Sequence, residues 1–364
     1  MGSFIGENLR LSVFGESHGE AIGAVLDGLP AGTLLDFDKI LAQMARRAPG
    51  GVASTPRKEA DIPRILSGVY QNRTTGAPLA AIIQNTSARP GDYGNLADIP
   101  RPSHADYPAW VKYGGHNDVR GGGHFSGRLT ATLVFAGAVC RQMLEERGVT
   151  VGGHAAQIGS VIDERFDLAN VSADLLKKLS LAYFPVIDVE KKSAMLAEIE
   201  EARQNGDSVG GVVEVAATEL PAGLGEPMFG GVENRLSALF FGIPAVKGVE
   251  FGSGFALSGM RGSQANDAYF MDDGGVRVKS NHNGGVLGGI TTGAPLIVRL
   301  AIKPTPSIFR EQESVSLSKL ENRPLKISGR HDPCVVPRAA PTAEAVLAFG
   351  LLDLIISRSP DKPK

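Results

Sequence analysis

The sequence predicts an α+β fold in which antiparallel sheets, built from an internally duplicated unit, pack on central apolar helices. Three observations predict it. First, two strings recur in the same order: LPAG at Leu29–Gly32 and Leu220–Gly223, and TTGAPL at Thr74–Leu79 and Thr291–Leu296. Second, each LPAG follows an alternating, strand-like run (AIGAVLDG; VGGVVEVAATE), and each TTGAPL leads into another (LAAII; LIVRLAI). Third, Ser126 to Arg147 (SGRLTATLVFAGAVCRQMLEER) and TAEAVLAFGLLDLIISR (342–358) read as helices that are apolar nearly all round, which marks them as buried.

The elements follow in order. Helix-patterned stretches come after each LPAG, from Asp38 to Arg47 and from Glu233 to Phe241, so the repeated unit is strand-helix-strand. Its two copies span about 9–90 and 208–305 within one domain covering 1–364. Glu190 to Asn205 is helical but strongly charged, and is expected as an exposed insertion.

Composition narrows the function. Net charge is −2, no run of Lys or Arg stands out and one Trp is present, which argues against a nucleic-acid surface. Cys140 and Cys334 lie far apart in apolar contexts without metal-ligand spacing, so they read as buried thiols in a reducing compartment and no metal site is expected. The opening MGSFIGENLR lacks a leader pattern, and position 6 is Gly where a myristoylation signal wants Ser or Thr. No apolar segment is expected to reach the roughly 20 residues of a membrane span. The cytoplasm is the expected compartment. Glycine, at 46 residues, clusters as GGGH, NGGVLGG and GGVENR, which lets loop backbone approach a ligand closely.

FGESHG, Phe14 to Gly19, fits the G-x-S-x-G pattern of a hydrolase elbow. The residues that follow, AIGAVLDGLP, are strand-like rather than helical, so the elbow context fails. His18, His104, His282 and His331 lie in loop sequence rich in Gly, Pro and Asp; Arg101 precedes His104 by three, and Arg330 and Asp332 flank His331. Arg46, Arg47, Arg101, Arg128 and Arg330 sit at loop edges or helix ends, where a planar fork can be held for carboxylate or phosphate. Together they point to a small polyanionic ligand. RGGGHFSGR, Arg120 to Arg128, runs into the long helix with Ser126 as N-cap, and reads either as a phosphate cradle or as a tight helix start. In KPTPSI, Lys303, Thr305 and Ser307 alternate with prolines, presenting a cation and two hydroxyls to a phosphate or heteroaromatic edge, or forming a plain strand exit.

Taken together, FGESHG, RPSHADY, RGGGHFSGR, PAVKGVE, RGSQAND, SNHNGGVLGGI, KPTPSI and GRHDPC resemble the chorismate synthase family, in order from Ile5 to about Arg358. The resemblance implies a lyase that eliminates phosphate from 5-enolpyruvylshikimate 3-phosphate in a 1,4-anti sense to give chorismate, the last common step of the shikimate pathway. It implies a need for reduced FMN, a homotetramer, and a β-α-β sandwich. It assigns catalysis to His18, His104, Asp332 and Ser17, with His104 protonating the departing phosphate and His18 stabilising the anionic flavin. It assigns substrate contacts to Arg46, Arg47, Arg101, Arg128 and Arg330. FMN falls to His124, Phe125, Ser126, Pro244, Ala245, Gly288, Lys303, Thr305, Ser307 and Arg330, and a reduced nicotinamide cofactor, NADPH, to Arg47. The commoner family form of the glycine loop reads RGGGRSSARET, so His124, Phe125 and Leu129 are departures here. VASTPRKEAD is one residue shorter than the common form and loses an arginine that Arg57 or Lys58 replaces.

Overall fold

The chain's first sheet begins with β1 (Phe4–Ile5), β2 (Arg10–Gly15) and β3 (Ala21–Asp27), and α1 (Phe37–Arg47) follows. Then come β4 (Arg64–Ser67), the small hairpin β5 (Val69–Tyr70) with β6 (Arg73–Thr74), and β7 (Leu79–Gln84). A middle stretch holds α2 (Asp106–Tyr113), two short 3-10 turns at Arg120–Phe125 and Gly127–Leu129, and α3 (Thr130–Glu145). The second sheet uses β8 (Thr150–Ile158), β9 (Val161–Ile162), β10 (Gly211–Thr218), β11 (Val246–Phe251) and a later strand. Between β9 and β11 lie α4 (Ala173–Leu179), α5 (Val189–Gln204) and α6 (Val232–Phe241). The four-residue α7 (Gly262–Ala265) precedes the hairpins β12 (Tyr269–Asp272) with β13 (Gly275–Val278), and β14 (Val286–Leu287) with β15 (Ile290–Thr291). Finally come β16 (Leu296–Ile302), the hairpin β17 (Gln312–Ser316) with β18 (Glu321–Leu325), and α8 (Val336–Ser357). This computed structural model describes residues 2–50, 61–86, 96–272, 275–327 and 331–357.

The sheet orders are β1-β2-β3-β7-β4 and β11-β16-β10-β8-β9, with all neighbours antiparallel. Apart from one edge strand each, they match: β2, β3, β7 and β4 correspond to β8, β10, β16 and β11, and α1 and α6 occupy the same step between strands. The repeated strings dock alike. Gly32 N donates to Thr74 O (2.7 Å), and Thr74 Oγ1 donates to Pro30 O (2.5 Å) while accepting from Thr33 N (3.0 Å). In the other half Gly223 N donates to Thr291 O (2.9 Å), and Thr291 Oγ1 donates to Pro221 O (2.7 Å) while accepting from Leu224 N (2.9 Å). Each buried threonine thereby satisfies the backbone groups of the turn it closes.

Helices fill the space between the sheets. α1 packs on α3, α3 touches β3 and α8, and α8 lies against β8, β10 and α6. α3 and α8 approach closely because position 137 is glycine: a Cβ there would overlap the backbone and Cβ of Ala345. α8 starts ahead of the apolar pattern, since Pro337 falls in the first turn, where no amide donor is needed. At 22 residues α8 has the length and composition of a membrane span, which corrects the expectation that no segment would reach it. It is mostly buried within the protein instead. α5 follows the expected boundaries, but Met195 and Ile199 anchor one side in the core, so the insertion is only partly exposed.

Cys140 and Cys334 are free and buried, as their contexts suggested; burial pushes both thiols up, Cys334 to about 12.

Candidate active site

A cavity of about 1340 Å³ opens where the β2–β3 turn, the loop before α2, the glycine loop at 120–125, the segment before β11, the exit of β16 and the start of α8 converge. The β2–β3 turn is the FGESHG stretch. It joins two antiparallel strands, and no helix follows Ser17, so a hydrolase elbow is absent. Ser17 N donates to Gly123 O (3.1 Å), and Ser17 Oγ donates to Arg120 O (3.1 Å). The hydroxyl has one proton. At His18 Nδ1, 3.1 Å away, Ser17 Oγ therefore accepts, which places a proton on Nδ1. His18 itself lines the cavity.

The glycine loop is shaped around the imidazoles. Gly121 has φ +59 and Gly122 φ +90, the left-handed region that glycine enters without strain. A Cβ at 121 would overlap His18 Cε1 and Nδ1, and one at 122 would stand 3.1 Å from His104 Cε1 and 3.2 Å from its Nε2. Successive residues of one loop thus back onto two histidines distant in sequence. Ser126 caps the short turn after the loop by accepting from Arg128 N (3.3 Å), and α3 begins later, at Thr130.

His104 sits in a second cluster. Its Nδ1 is 2.5 Å from Asp106 Oδ1, and Asp106 also receives Arg101 N (3.0 Å), Nε (2.7 Å) and Nη2 (2.8 Å). Burial opposes ionisation of Asp106, yet the hydrogen bonds from Arg101 and His104 outweigh it and hold the carboxyl well below the usual range. Burial lowers the affinity of His104 for its proton; the Asp106 hydrogen bond raises it, Arg101 and Lys303 lower it, and the net shift is downward.

Cations ring the cavity: Arg47, Arg101, Arg128, Arg338, Lys247 and Lys303 all line it. Arg47 and Arg128 share Asp61. Arg47 Nη1 donates to Asp61 Oδ2 (2.7 Å), its Nε to Thr130 Oγ1 (3.0 Å) and its Nη2 to Gly127 O (2.8 Å), while Arg128 Nη1 donates to Asp61 Oδ1. Burial, with Arg338 alongside, lowers Arg47 to about 10 against the pull of Asp61. Burial opposes ionisation of Asp61, but Arg47 and Arg128 hold it below the carboxylate range. Arg338 donates through Nη1 to Asp332 Oδ2 (2.5 Å) and through Nε to Arg47 O (2.9 Å). Lys303 Nζ donates to Ser103 O; burial, then Lys247, lowers its pKa.

Most of the residues expected at the site therefore meet here: His18, His104, Asp332, Arg47, Arg101, Arg128, His124, Phe125, Ser126, Pro244, Ala245, Lys303, Thr305 and Ser307 line the cavity, and Ser17 stands behind His18. Arg46 does not. One residue before Arg47 on α1, it turns the other way and forms a buried pair with Glu344 (2.7 Å), which also receives Arg141 Nη1 (3.0 Å). Gly288 lies between β14 and β15 and is absent from the cavity wall. Arg330, Arg57 and Lys58 lie outside the described residues. Sequence reasoning missed Asp61, Asp106, Arg338 and Lys247. The H-x-D spacing of RPSHADY is a signal for Asp106; a lone Asp61 offers none.

The wall formed by 244–247 and 303–307 suits a phosphate-bearing, planar cofactor. Thr305 Oγ1 is buried and has no hydrogen-bond partner among the described residues, and Asn117 Oδ1, on another residue that lines the cavity, is in the same condition. Orphaned polar atoms of this kind call for a ligand group. Ala245 holds φ +74, a strain of about 1–3 kcal/mol that persists where the surroundings enforce it. Phe125 and Tyr113, with centroids 6.4 Å apart, add an aromatic edge. The volume exceeds the roughly 300–1,000 Å³ of an ordinary single-ligand pocket, leaving room for cofactor and substrate together.

A sheet-helix-sheet scaffold carrying two positioned imidazoles in a cation-lined cavity defines an enzyme acting on a small anion. The chorismate synthase family model matches residues 9–356. Chorismate synthases from Thermococcus kodakarensis and Korarchaeum cryptofilum are each 46% identical to the chain, over 97% of both chains in the first case and 98% of both in the second. A crystal structure of chorismate synthase superposes with a TM-score of 0.76 at 29% identity, covering 97% of this chain and 93% of that one. The chain belongs to the chorismate synthase family, and it is a lyase.

Proposed function

We propose that the chain eliminates phosphate from 5-enolpyruvylshikimate 3-phosphate in a 1,4-anti sense, giving chorismate, with reduced FMN bound beside the substrate. The observation that carries this reading is the pair of imidazoles, each tied through Nδ1, backed onto one glycine loop inside a cavity ringed by cations. The substrate brings two carboxylates and a phosphate, which matches that ring.

FMN would be held by His124, Phe125, Ser126, Pro244, Ala245, Lys303, Thr305 and Ser307, and when bound would supply electron density to the allylic system and accept hydrogen from C6. The chain's own residues supply the rest. His104 gives its Nε2 proton to the phosphate oxygen as the allylic C–O bond breaks, while Arg101 and Lys303 stabilise the charge that develops on the leaving group. His18, with its Nδ1 proton committed to Ser17, stabilises negative charge through Nε2 when it is imidazolium. Asp332, paired with Arg338, would receive the proton that originates at C6, which balances the one His104 gives to the phosphate. Arg47 and Arg128, held by Asp61, orient the anionic substrate.

The decisive assay is anaerobic: chorismate forms from the enolpyruvyl phosphate only while FMN is kept reduced, and formation without flavin would sink the reading. NADPH alone supporting aerobic turnover would show that the enzyme reduces its own flavin, the role proposed for NADPH at Arg47. We assign a homotetramer in the cytoplasm, and the exposed Phe229, Phe255, Met228 and Met271 support association.

A further inference from the structure

We propose that Asp106 is the positioning residue of His104, fixing the proton on Nδ1 so that Nε2 faces the cavity and favouring the imidazolium. This rests on the reading of His104 as general acid. An ionised carboxylate only accepts hydrogen bonds. At 2.5 Å from Asp106 Oδ1, His104 Nδ1 must therefore be the donor. Arg101 Nη2 lies 3.1 Å from the same Nδ1, but a guanidinium has no acceptor, and both donors instead converge on Oδ1. Nε2 and Cε1 lie beside Gly122, and the residue lines the cavity.

The neutral ring in this arrangement presents a lone pair at Nε2. To donate there, His104 must be the cation. The charged groups that face it are Arg101 in its own loop, Lys303 from the exit of β16 and Asp106 at the start of α2. The first two disfavour the cation, and Asp106 alone of the three favours it. Buried at the first position of α2, its carboxylate is fixed further by Arg101 N and Nε. One side chain thereby sets both the ring's tautomer and its charge.

Asp106→Asn tests this. The amide can donate to Nδ1, moving the neutral ring's proton to Nε2 and removing the charge that supports the imidazolium. At neutral pH kcat should fall on the order of 100-fold or more. The alkaline limb of the pH–rate profile should move to lower pH by about 1–3 pH units, and Asp106→Glu should restore part of both. A limb left in place with only KM raised would mean that Asp106 serves Arg101 alone, and the proposal would fail. The imidazole ¹⁵N spectrum of the unaltered protein is independent of activity and of the variant's folding. Neutral His104 protonated on Nδ1 supports the assignment, and protonation on Nε2 refutes it. His104→Ala keeping full turnover would instead remove the general-acid reading, and the spectrum would still decide what holds the ring.

Discussion

Two histidines in this protein lean on carboxylates, one buried inside the second sheet and one half-buried at the cavity. His154 on β8 faces Glu214 across the ladder to β10, with Nε2 3.0 Å from Glu214 Oε2 and Nδ1 2.9 Å from Asp163 Oδ2. Phe166 packs edge-on against its ring. Both nitrogens are consumed, and the residue is fully buried. His104 gives one nitrogen to Asp106 and keeps the other toward the cavity. The same pair chemistry makes a cross-link in one place and, in the function proposed, a reagent in the other, and what separates them is how many ring nitrogens the fold takes.

The strongest way to break this comparison is to exchange the consequences. His104→Ala should cost turnover on the order of 10²–10⁴-fold, while inorganic phosphate still binds and stability changes little. His154→Ala should leave kcat per folded molecule nearly unchanged but lose about 3–5 kcal/mol in urea unfolding, because Asp163 and Glu214 stay buried without the ring that pairs them. A His154 variant that stays stable but inactive would erase the distinction.

A second test concerns the loop behind the imidazoles. Gly121→Ala should lower turnover by roughly 10-fold or more, because its Cβ must displace His18, on top of a left-handed strain of about 1–2 kcal/mol. Gly223→Ala makes the control. It has φ +89 and open space around a Cβ, so it bears the strain without touching a histidine and should keep its activity. Equal activity losses in both would show that strain alone matters.

The smallest effect is in the pH dependence of stability. Burial opposes the His154 cation, but Asp163 and Glu214 outweigh it, so its pKa is raised. Its contribution is full below the ordinary value of about 6.5 and fades as pH rises through the folded value. His104 is shifted downward, so its contribution is full above about 6.5 and is lost as pH falls through the folded value. Urea midpoints across this range, compared between the parent and each His→Gln variant, should therefore show opposite slopes.

Periodicity made the fold legible. The strings LPAG and TTGAPL announced equivalent turns, and the helix patterns at 38–47 and 233–241 fall within a residue of α1 and α6. Loop composition gathered most of the cavity wall. It failed at Arg46, because two arginines ending one helix look alike in sequence, while a helix rotates successive residues by about 100° and sends only one of them to the cavity. It also passed over Asp61 and Asp106, whose roles come from arginines and a histidine that only the tertiary fold, or one tight turn, brings to them.

The close seat of Ala345 against Gly137 has a consequence for the order of events during synthesis. α3 lies between the sheets, but its partner α8 emerges only after the whole second sheet has been made. Until then the inner face of the second sheet lacks that cover, and contacts so distant along the chain form late and slowly. The ribosome thus finishes the two layers before it delivers the helix that joins them, and Arg338, near the start of that helix, reaches Asp332 and Arg47 at the same moment.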